Sequence, residues 1–335
     1  MREKFRVVVT DFEYESLKSE EQALAGIGAT LIPCHCKDES ELISSTADAD
    51  ALLVQYASIT RRVIEHMSKC QIIVRYGIGV DSLDVPAATD HGIIVANVPD
   101  YGLEEVANHT ISLLLASARK LTILNESVKS GVWNYKVSKP LFRLSGKVLG
   151  LLAFGNIARL VAKKALAFGL QVQVCDPFID AETAGRYHAK LVDFDTLIAT
   201  SDFLSIHAPG NSSTYHLFNQ SVFSRMKSTS YLINTARGAI IDEQALIDAL
   251  TRGAIAGAAL DVSEQEPISP TSKLLQLPNV IITPHAAWYT EEAQESVQGK
   301  AAAEVARVLS GQPPQNLVNP DVMRNPRLRF KQMTK

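Results

Sequence analysis

Three ionisable residues in the last third of the chain each follow a short apolar run. Arg237 comes after Tyr-Leu-Ile-Asn-Thr-Ala, Glu266 lies downstream of Ala-Ala-Leu-Asp-Val, and His285 follows Val-Ile-Ile-Thr-Pro. The carboxyl ends of parallel strands converge on the ligand crevice of an open α/β sheet, so the three side chains are expected to meet there. Such a group suits hydride transfer to a 2-keto acid.

Each member of this group has a chemical task. Arg237 can bind the substrate carboxylate or its carbonyl oxygen through charged hydrogen bonds. His285, as an imidazolium, can donate a proton to the oxygen that becomes the hydroxyl. Glu266, hydrogen-bonded to the other ring nitrogen, would fix the tautomer of His285 and favour its charged form.

A turn that follows the apolar run 148–154 predicts a dinucleotide site. Gly155 opens a helical stretch that ends near Gly169, and Asp176 follows the next strand about 20 residues later. Backbone amides and the helix N-terminus would approach the pyrophosphate, while the acid binds the adenosine ribose. Asp176 also repels a 2′-phosphate, so the pattern favours NAD over NADP.

The fingerprint is incomplete, because Ala153, Gly155 and Ala158 occupy its three glycine positions. Alanine at the third position is a common variant, whereas the first glycine shapes the tight turn. We expect the two methyl groups to strain the turn or to push it from the pyrophosphate, and Ala153→Gly to tighten NADH. An ordinary strand-turn-helix is the alternative for this motif taken alone.

The elements that must position these residues alternate between apolar strands and helices, which is typical of βαβ units and parallel sheets. The pattern predicts two α/β domains. One long buried helix is expected over residues 104–121 and another over 290–309. The predicted strands are residues 5–10, 30–33, 51–55, 72–75 and 93–97, followed by 148–154, 171–175, 203–207, 230–234, 255–260 and 280–283.

Composition limits the other functions. The 335 residues include 33 Lys+Arg and 36 Asp+Glu, a net charge of −3 that argues against nucleic acid or an anionic membrane as the main partner. Hydrophobic residues make up 46%, enough for two cores, and none of the apolar stretches reaches the ~20 residues of a membrane span. Four scattered cysteines and the lack of a leader pattern predict a cytoplasmic location.

These motifs, in this order, resemble the D-isomer-specific 2-hydroxyacid dehydrogenase family. The resemblance covers nearly the whole chain, from Arg-Tyr-Gly-Ile-Gly-Val-Asp at 75–81 through Asn-Val-Pro at 97–99 to the segment around His285. It implies that Arg237, Glu266 and His285 are catalytic, with His285 the proton donor. It also implies that the substrate carboxylate is held by backbone amides around Tyr76, Gly77, Ile78 and Gly79.

The resemblance further implies a discontinuous fold of two Rossmann-like or flavodoxin-like domains with parallel sheets. Residues 1–100 plus 288–335 would form the substrate domain, and 101–287 the inserted NAD-binding domain, on which such proteins usually dimerise, so a homodimer is expected. The predicted NAD contacts are Leu152, Ala153, Phe154, Gly155, Asn156, Ile157, Asp176, His207, Ala208, Pro209, Thr214, Thr235, Ala236, Arg237, Asp261 and His285.

Two alternatives to a metabolic 2-keto acid reductase stay open. The stretch His285-Ala286-Ala287-Trp288-Tyr289 resembles the C-terminal-binding proteins, which implies an NAD(H)-sensing binding module. The dehydrogenase is favoured because the chain stops shortly after its last helix. Phosphoglycerate oxidation is the other alternative. It needs cations around the phosphate, for which Arg75 is the evident candidate.

Trp288 is given a role in the substrate pocket, and the remaining polar residues are given structural roles. Trp288 is predicted to form one wall of the substrate pocket, with interdomain packing as its alternative role. Cys34-His35-Cys36 lacks a second pair of ligands, so no metal site is predicted. Asp242 is expected to cap a helix that ends before Gly253. The histidines without a motif, expected to be surface or structural, are His35, His66, His91, His109, His188 and His216.

Overall fold

The computed structural model describes residues 5–330, which fold as two compact units. One unit combines the chain up to Gly102 with the chain from Thr290 onwards and is called the discontinuous unit. The other, Leu103–Tyr289, is called the inserted unit. Within the described residues, no helix has the length and apolar composition needed to cross a bilayer.

The discontinuous unit contains a five-stranded parallel sheet in the order β2-β1-β3-β4-β5. This 2-1-3-4-5 order is flavodoxin-like. Strand β3 is buried along its whole length, as expected for a central parallel strand covered on both faces. The strands are β1 (Phe5–Val9), β2 (Ala29–Pro33), β3 (Ala51–Val54), β4 (Ile72–Arg75) and β5 (Ile94–Ala96).

The inserted unit contains a seven-stranded parallel sheet in the order β12-β11-β10-β9-β6-β7-β8. Read from β8, this is the 3-2-1-4-5-6 Rossmann order extended by one strand. The strands are β6 (Val148–Leu152), β7 (Gln171–Cys175), β8 (Ala189–Leu191), β9 (Phe203–Ile206), β10 (Tyr231–Asn234), β11 (Gly257–Leu260) and β12 (Val280–Ile282).

Helices connect the strands of both units. Asp242 caps α11 as predicted, since its carboxylate accepts from the Ala245 amide at 3.0 Å, and Gly253 follows the helix with φ +67°. The helices are α1 (Lys18–Leu24), α2 (Glu39–Thr46), α3 (Arg61–Glu65), α4 (Val85–Asp90), α5 (Leu103–Arg119), α6 (Leu121–Lys129), α7 (Asn156–Ala167), α8 (Ala181–Gly185), α9 (Phe194–Thr200), α10 (Gln220–Phe223), α11 (Glu243–Thr251) and α12 (Glu291–Leu309).

The predicted helix 104–121 is wrong at its end. Helix α5 stops at Arg119, Lys120 takes a left-handed φ of 51°, and α6 begins at once. A lysine in this conformation is strained by about 1–2 kcal/mol. Neither glycine nor proline marks the break, and the apolar spacing continues through it, so the sequence shows no signal that the helix ends there. Strand β8 was also missed, because three residues with an exposed Lys190 are too short to show alternation.

The carboxyl ends of six strands in the inserted sheet form one row. Leu152 pairs with both Cys175 and Ile206, and Asn234 pairs with both Ile206 and Leu260. Leu260 in turn pairs with Ile282. The residues that follow these positions therefore leave the sheet along a single line, which is called the carboxyl edge.

The discontinuous unit is joined across its two chain segments by buried polar groups. The Asn319 amide group accepts from the Val95 amide at 2.8 Å and donates to the Ile93 carbonyl at 3.0 Å, which fixes the edge strand β5. Buried Glu20 of α1 accepts from Tyr76 at 2.8 Å and from Gln298 of α12 at 3.1 Å. Parts of the chain more than 200 residues apart thus share hydrogen bonds.

The two alanines of the dinucleotide turn differ in their surroundings. Ala153 has φ +68°, the left-handed conformation that glycine adopts without strain. Ala158 is fully buried in the core with Val161 and Ala162 of α7. The methyl group of Ala158 therefore packs in the core, and its effect on the turn stays a prediction.

We predict that Ala153→Gly raises the free energy of unfolding by up to about 1 kcal/mol. Relief of left-handed strain, ~1–2 kcal/mol, is partly offset by the greater freedom of glycine in the unfolded chain, ~0.4–1 kcal/mol. Urea unfolding measures the change. Ala158→Gly is the matched control and should destabilise by about 1 kcal/mol or more, because a buried methyl group is lost from a helix. Equal destabilisation by both variants would show that the turn is unstrained.

Candidate active site

His285 and Glu266 form an ion pair at the carboxyl edge. His285 Nδ1 lies 2.7 Å from Glu266 Oε2, and both side chains are partly exposed. Burial alone would raise the pKa of Glu266, but the hydrogen bond and charge of His285, the Ser263 amide and the charge of Arg237 lower it. Glu266 therefore stays ionised where imidazole titrates, Nδ1 donates to it, and Nε2 is the nitrogen that can give or take a proton.

Arg237 lies on a loop that buried Asn234 holds in place. The Asn234 side chain accepts from the Ala236 amide at 3.0 Å and donates to the Arg237 carbonyl at 2.9 Å. A side chain at Gly238 would overlap the Ser263 carbonyl, so only glycine lets this loop lie against the loop that carries Glu266. The predicted catalytic side chains Arg237, Glu266 and His285 therefore come from adjoining loops of one unit.

The buried carboxylate of Asp261 holds the loop that carries His285. It is 1% exposed and accepts from the Thr283 hydroxyl at 2.5 Å and from the Ala286 and Ala287 amides at 2.9 Å each. The Asp261 carbonyl also accepts from the His285 amide at 2.8 Å. His285 itself has φ +52°, a strained conformation that persists only when its surroundings impose it.

Helix α5 supplies two contacts that the sequence analysis missed. His109 Nε2 lies 3.0 Å from Thr283 Oγ1 and 3.6 Å from Asp261 Oδ1. One residue further on, Thr110 Oγ1 lies 2.8 Å from Thr235 Oγ1 on the loop that leads to Arg237. The run of three polar residues, Asn108, His109 and Thr110, in the middle of this helix is the signal that could have revealed them.

The turn after β6 has the groups that a dinucleotide needs. Gly155 is the N-cap of α7 and offers no side-chain hydrogen bond to it, and the space over its α carbon is open. Asp176 accepts from the Phe154 amide at 2.7 Å and from the Phe178 amide at 2.8 Å, which places a carboxylate beside the turn. Free amides at a helix N-terminus and an adjacent acid fit the pyrophosphate and ribose of NAD.

The other predicted NAD contacts also lie at or just beyond the carboxyl edge. Burial lowers the pKa of His207 to about 4, so its ring is neutral, and its Nε2 lies 2.9 Å from Ser205 Oγ. Thr214 donates to the Pro209 carbonyl at 2.7 Å, which closes the loop after β9. The Asp261 carboxylate accepts hydrogen bonds within its own unit on both oxygens, and its contact with NAD stays a prediction.

The predicted substrate-binding turn lies in the discontinuous unit. The Tyr76 side chain is buried against Glu20, so this turn has its backbone rather than the phenol available for a ligand. Gly77 has φ +131°, and the Arg75 guanidinium lies over its α carbon where a side chain would overlap it. Among residues 5–330, the structure pairs Arg75 with no acid.

Trp288 is half-buried at the end of the inserted unit, with its ring 5.6 Å from that of Tyr289 in an edge-on arrangement. Its assignment to the substrate pocket stays a prediction. In the described part of the chain, no cluster of three or more His, Cys, Asp or Glu side chains is arranged to hold a metal ion.

Comparison with known proteins decides the family. Residues 111–287 match the family model described as D-isomer specific 2-hydroxyacid dehydrogenase, NAD binding domain. The chain belongs to the D-isomer-specific 2-hydroxyacid dehydrogenase family. The inserted unit is thus the NAD-binding domain of such a dehydrogenase, with its Rossmann strand order and turn.

Relatives within this dehydrogenase family have several names. The chain is 40% identical over 280 residues to a D-3-phosphoglycerate dehydrogenase of Archaeoglobus fulgidus, covering 83% of this chain and 53% of that one. It is 38% identical over 291 residues to a glyoxylate reductase of Thermofilum pendens, covering 85% of each. The chain spans about half the length of the phosphoglycerate dehydrogenases it matches.

A solved structure confirms the fold. D-lactate dehydrogenase from Aquifex aeolicus, complexed with NAD and lactic acid, superposes with a TM-score of 0.84 at 29% identity, covering 93% of this chain and 99% of that one. The resemblance to the C-terminal-binding proteins stays a prediction.

We predict that Glu266→Gln moves the pH dependence of 2-keto acid reduction to lower pH. An amide stabilises the imidazolium of His285 less than a carboxylate does, so the protonated form needed for reduction is lost at lower pH. The pH at which kcat/KM falls to half its maximum measures the shift. Glu264→Gln is the matched control, because Glu264 pairs with His216 at 2.6 Å in a similar carboxylate–imidazole contact. Equal shifts in both variants would contradict the assignment.

We predict that Thr283→Val lowers kcat about tenfold, equivalent to ~1.4 kcal/mol in the barrier. Valine keeps the shape of threonine but removes the hydroxyl that joins His109 to Asp261, which loosens the loop under His285. Thr283→Ser should restore most of the rate. The control Thr46→Val removes a buried hydroxyl bonded to Leu42 at 2.8 Å and should lower the melting temperature without changing kcat. Equal loss of kcat in Thr283→Val and Thr283→Ser would contradict the role of the hydroxyl.

Proposed function

We propose that the protein is an NAD-dependent dehydrogenase that interconverts a 2-keto acid and a D-2-hydroxy acid. The observation that carries this proposal is the 2.7 Å pair of His285 and an ionised Glu266, next to the Arg237 loop at the carboxyl edge of an NAD-binding domain. Relatives named glyoxylate reductase and D-3-phosphoglycerate dehydrogenase support this reaction class.

In the proposed mechanism, bound NADH supplies the hydride. Arg237 binds the substrate carboxylate or carbonyl oxygen and polarises the carbonyl. His285 Nε2 delivers a proton to that oxygen as the hydroxyl forms, and in the reverse direction takes it back. Glu266 holds the ring through Nδ1 and stabilises its charged state in both directions. Asp261 keeps the His285 backbone in place while the proton moves.

Coenzyme binding is assigned to the turn at Gly155 and to Asp176. The open amides at the start of α7 would hold the pyrophosphate, and the carboxylate would accept hydrogen bonds from the ribose hydroxyls. A 2′-phosphate would meet the negative charge of Asp176, so we assign NAD rather than NADP. The loops that contain His207, Thr214 and Thr235 complete this proposed site.

The substrate end of the site is proposed to use backbone amides at residues 76–79. Trp288 is assigned to one wall, where its indole suits a medium-sized apolar side chain better than the small groups of pyruvate or glyoxylate. A phosphoglycerate dehydrogenase is the second candidate. The unpaired cation of Arg75 beside Gly77 favours it, because a phosphate needs such a partner.

We also propose that the protein is a homodimer formed through the inserted unit. Large apolar side chains are exposed along α6 and in the segment between α6 and β6, and Trp133 is 90% exposed. Such a patch is typical of a protein interface. Its members are Leu121, Val128, Val132, Trp133, Tyr135 and Val137.

The decisive experiment assays a panel of 2-keto acids and 3-phosphoglycerate with NAD(H) and with NADP(H). We expect reversible turnover with NAD(H), weak turnover with NADP(H), and a fall of about 10²- to 10⁴-fold in kcat for His285→Ala while NADH still binds. Loss of 3-phosphoglycerate oxidation alone in Arg75→Gln would select the phosphoglycerate dehydrogenase. Tight NADH binding without turnover on any substrate would select an NAD(H) sensor and reject the dehydrogenase.

Trp288→Ala tests the specificity assignment in the same assay. A pocket wall predicts a larger loss of kcat/KM for a bulky apolar 2-keto acid than for pyruvate. A uniform fall with a lower melting temperature would assign Trp288 to packing instead.

A further inference from the structure

The inserted unit contains a cavity of about 260 Å³ at the edge of its sheet opposite the carboxyl edge. Its walls include Phe203 and Tyr231, the first residues of β9 and β10, which pair directly in the sheet. Lys147 precedes β6, and Ala256 precedes β11. Dinucleotides bind outside the carboxyl ends of the strands, so the cavity at the amino ends is separate from the coenzyme site.

The floor of the cavity is aromatic. The rings of Phe203 and Tyr231 are stacked, with centroids 5.8 Å apart and planes 16° apart. Burial raises the pKa of Tyr231, so its phenol keeps its proton. Pro140, Leu141 and Phe142 add apolar walls from the loop before β6. A planar apolar group can therefore pack inside.

The rim of the cavity is cationic. Lys120, Arg143 and Lys147 line it together with one acid, Asp202. The negative charge of Asp202 is already balanced by its own neighbours. It accepts from the Val148 amide at 2.9 Å and lies 3.4 Å from Lys147 Nζ and 3.2 Å from Lys227 Nζ. Burial alone would raise the pKa of Asp202, but these three donors lower it.

Two of the cations are left without an acid. Within the described residues, neither Lys120 nor Arg143 forms an ion pair with a carboxylate. Lys120 reaches the cavity from the strained left-handed position that separates α5 from α6. Backbone strain of this kind persists at ligand sites, where it positions a functional side chain.

We propose that this cavity binds a small aromatic carboxylate. The ring would pack against Phe203 and Tyr231, and the carboxylate would pair with Arg143 and Lys120. Arg143 can form bidentate hydrogen bonds with it. The volume is slightly below the ~300–1,000 Å³ of sites for drug-sized ligands, so a single ring with a short acidic chain fits. The proposal does not depend on the catalytic function.

Isothermal titration calorimetry with phenylacetate tests the proposal on the whole chain saturated with NADH. Phenylacetate has no keto group for the catalytic residues to reduce, and NADH fills the coenzyme site. We expect millimolar binding that weakens at least fivefold in Arg143→Gln and in Lys120→Gln, and stays unchanged in the exposed control Lys190→Gln. Neutral 2-phenylethanol and ring-free acetate should each bind at least fivefold more weakly.

Several results would overturn the proposal. The absence of phenylacetate binding in the millimolar range would reject it. Binding that is abolished in Arg237→Gln and retained in Arg143→Gln would also reject it, because the ligand would then lie in the catalytic site. Acetate binding as tightly as phenylacetate rejects the aromatic component.

Discussion

The carboxylate of Asp261 is the group on which the geometry of the candidate site depends. It is almost fully buried, and its oxygens bind one hydroxyl and two backbone amides of the segment that contains His285. A buried carboxylate with several donors is stable, whereas each donor left without it would lose a charged hydrogen bond. The strained backbone of His285 is therefore maintained by a group that need not take part in proton transfer.

Placement of Asp261 depends in turn on the register of the parallel sheet. Because Leu260 pairs with Asn234 and with Ile282, the residues that follow these three strands start at the same level. One more or one fewer residue in β11 would turn the Asp261 side chain to the other face of the sheet. The proximity of Arg237, Glu266 and His285 is thus a consequence of strand pairing as much as of the loops.

Much of this arrangement could be predicted because it rests on local patterns. Buried parallel strands are continuous apolar runs, and a polar residue after each run marks the carboxyl edge. The break at Lys120 could not be predicted, since neither glycine nor proline accompanies it. The roles of His109 and Thr283 depend on contacts between elements 174 residues apart, which one sequence does not reveal.

The discontinuous unit has a consequence for the order of folding. Its edge strand β5 obtains hydrogen bonds from Asn319, 224 residues beyond Val95, and its buried Glu20 obtains one from Gln298. A ribosome adds about 5–20 residues per second, and domains fold as units during synthesis. The inserted unit has all of its strands before α12 is made, so it can fold while the sheet of β1–β5 still lacks the hydrogen bonds of Gln298 and Asn319. During that interval β5 is an open sheet edge, the feature through which unfinished chains pair wrongly.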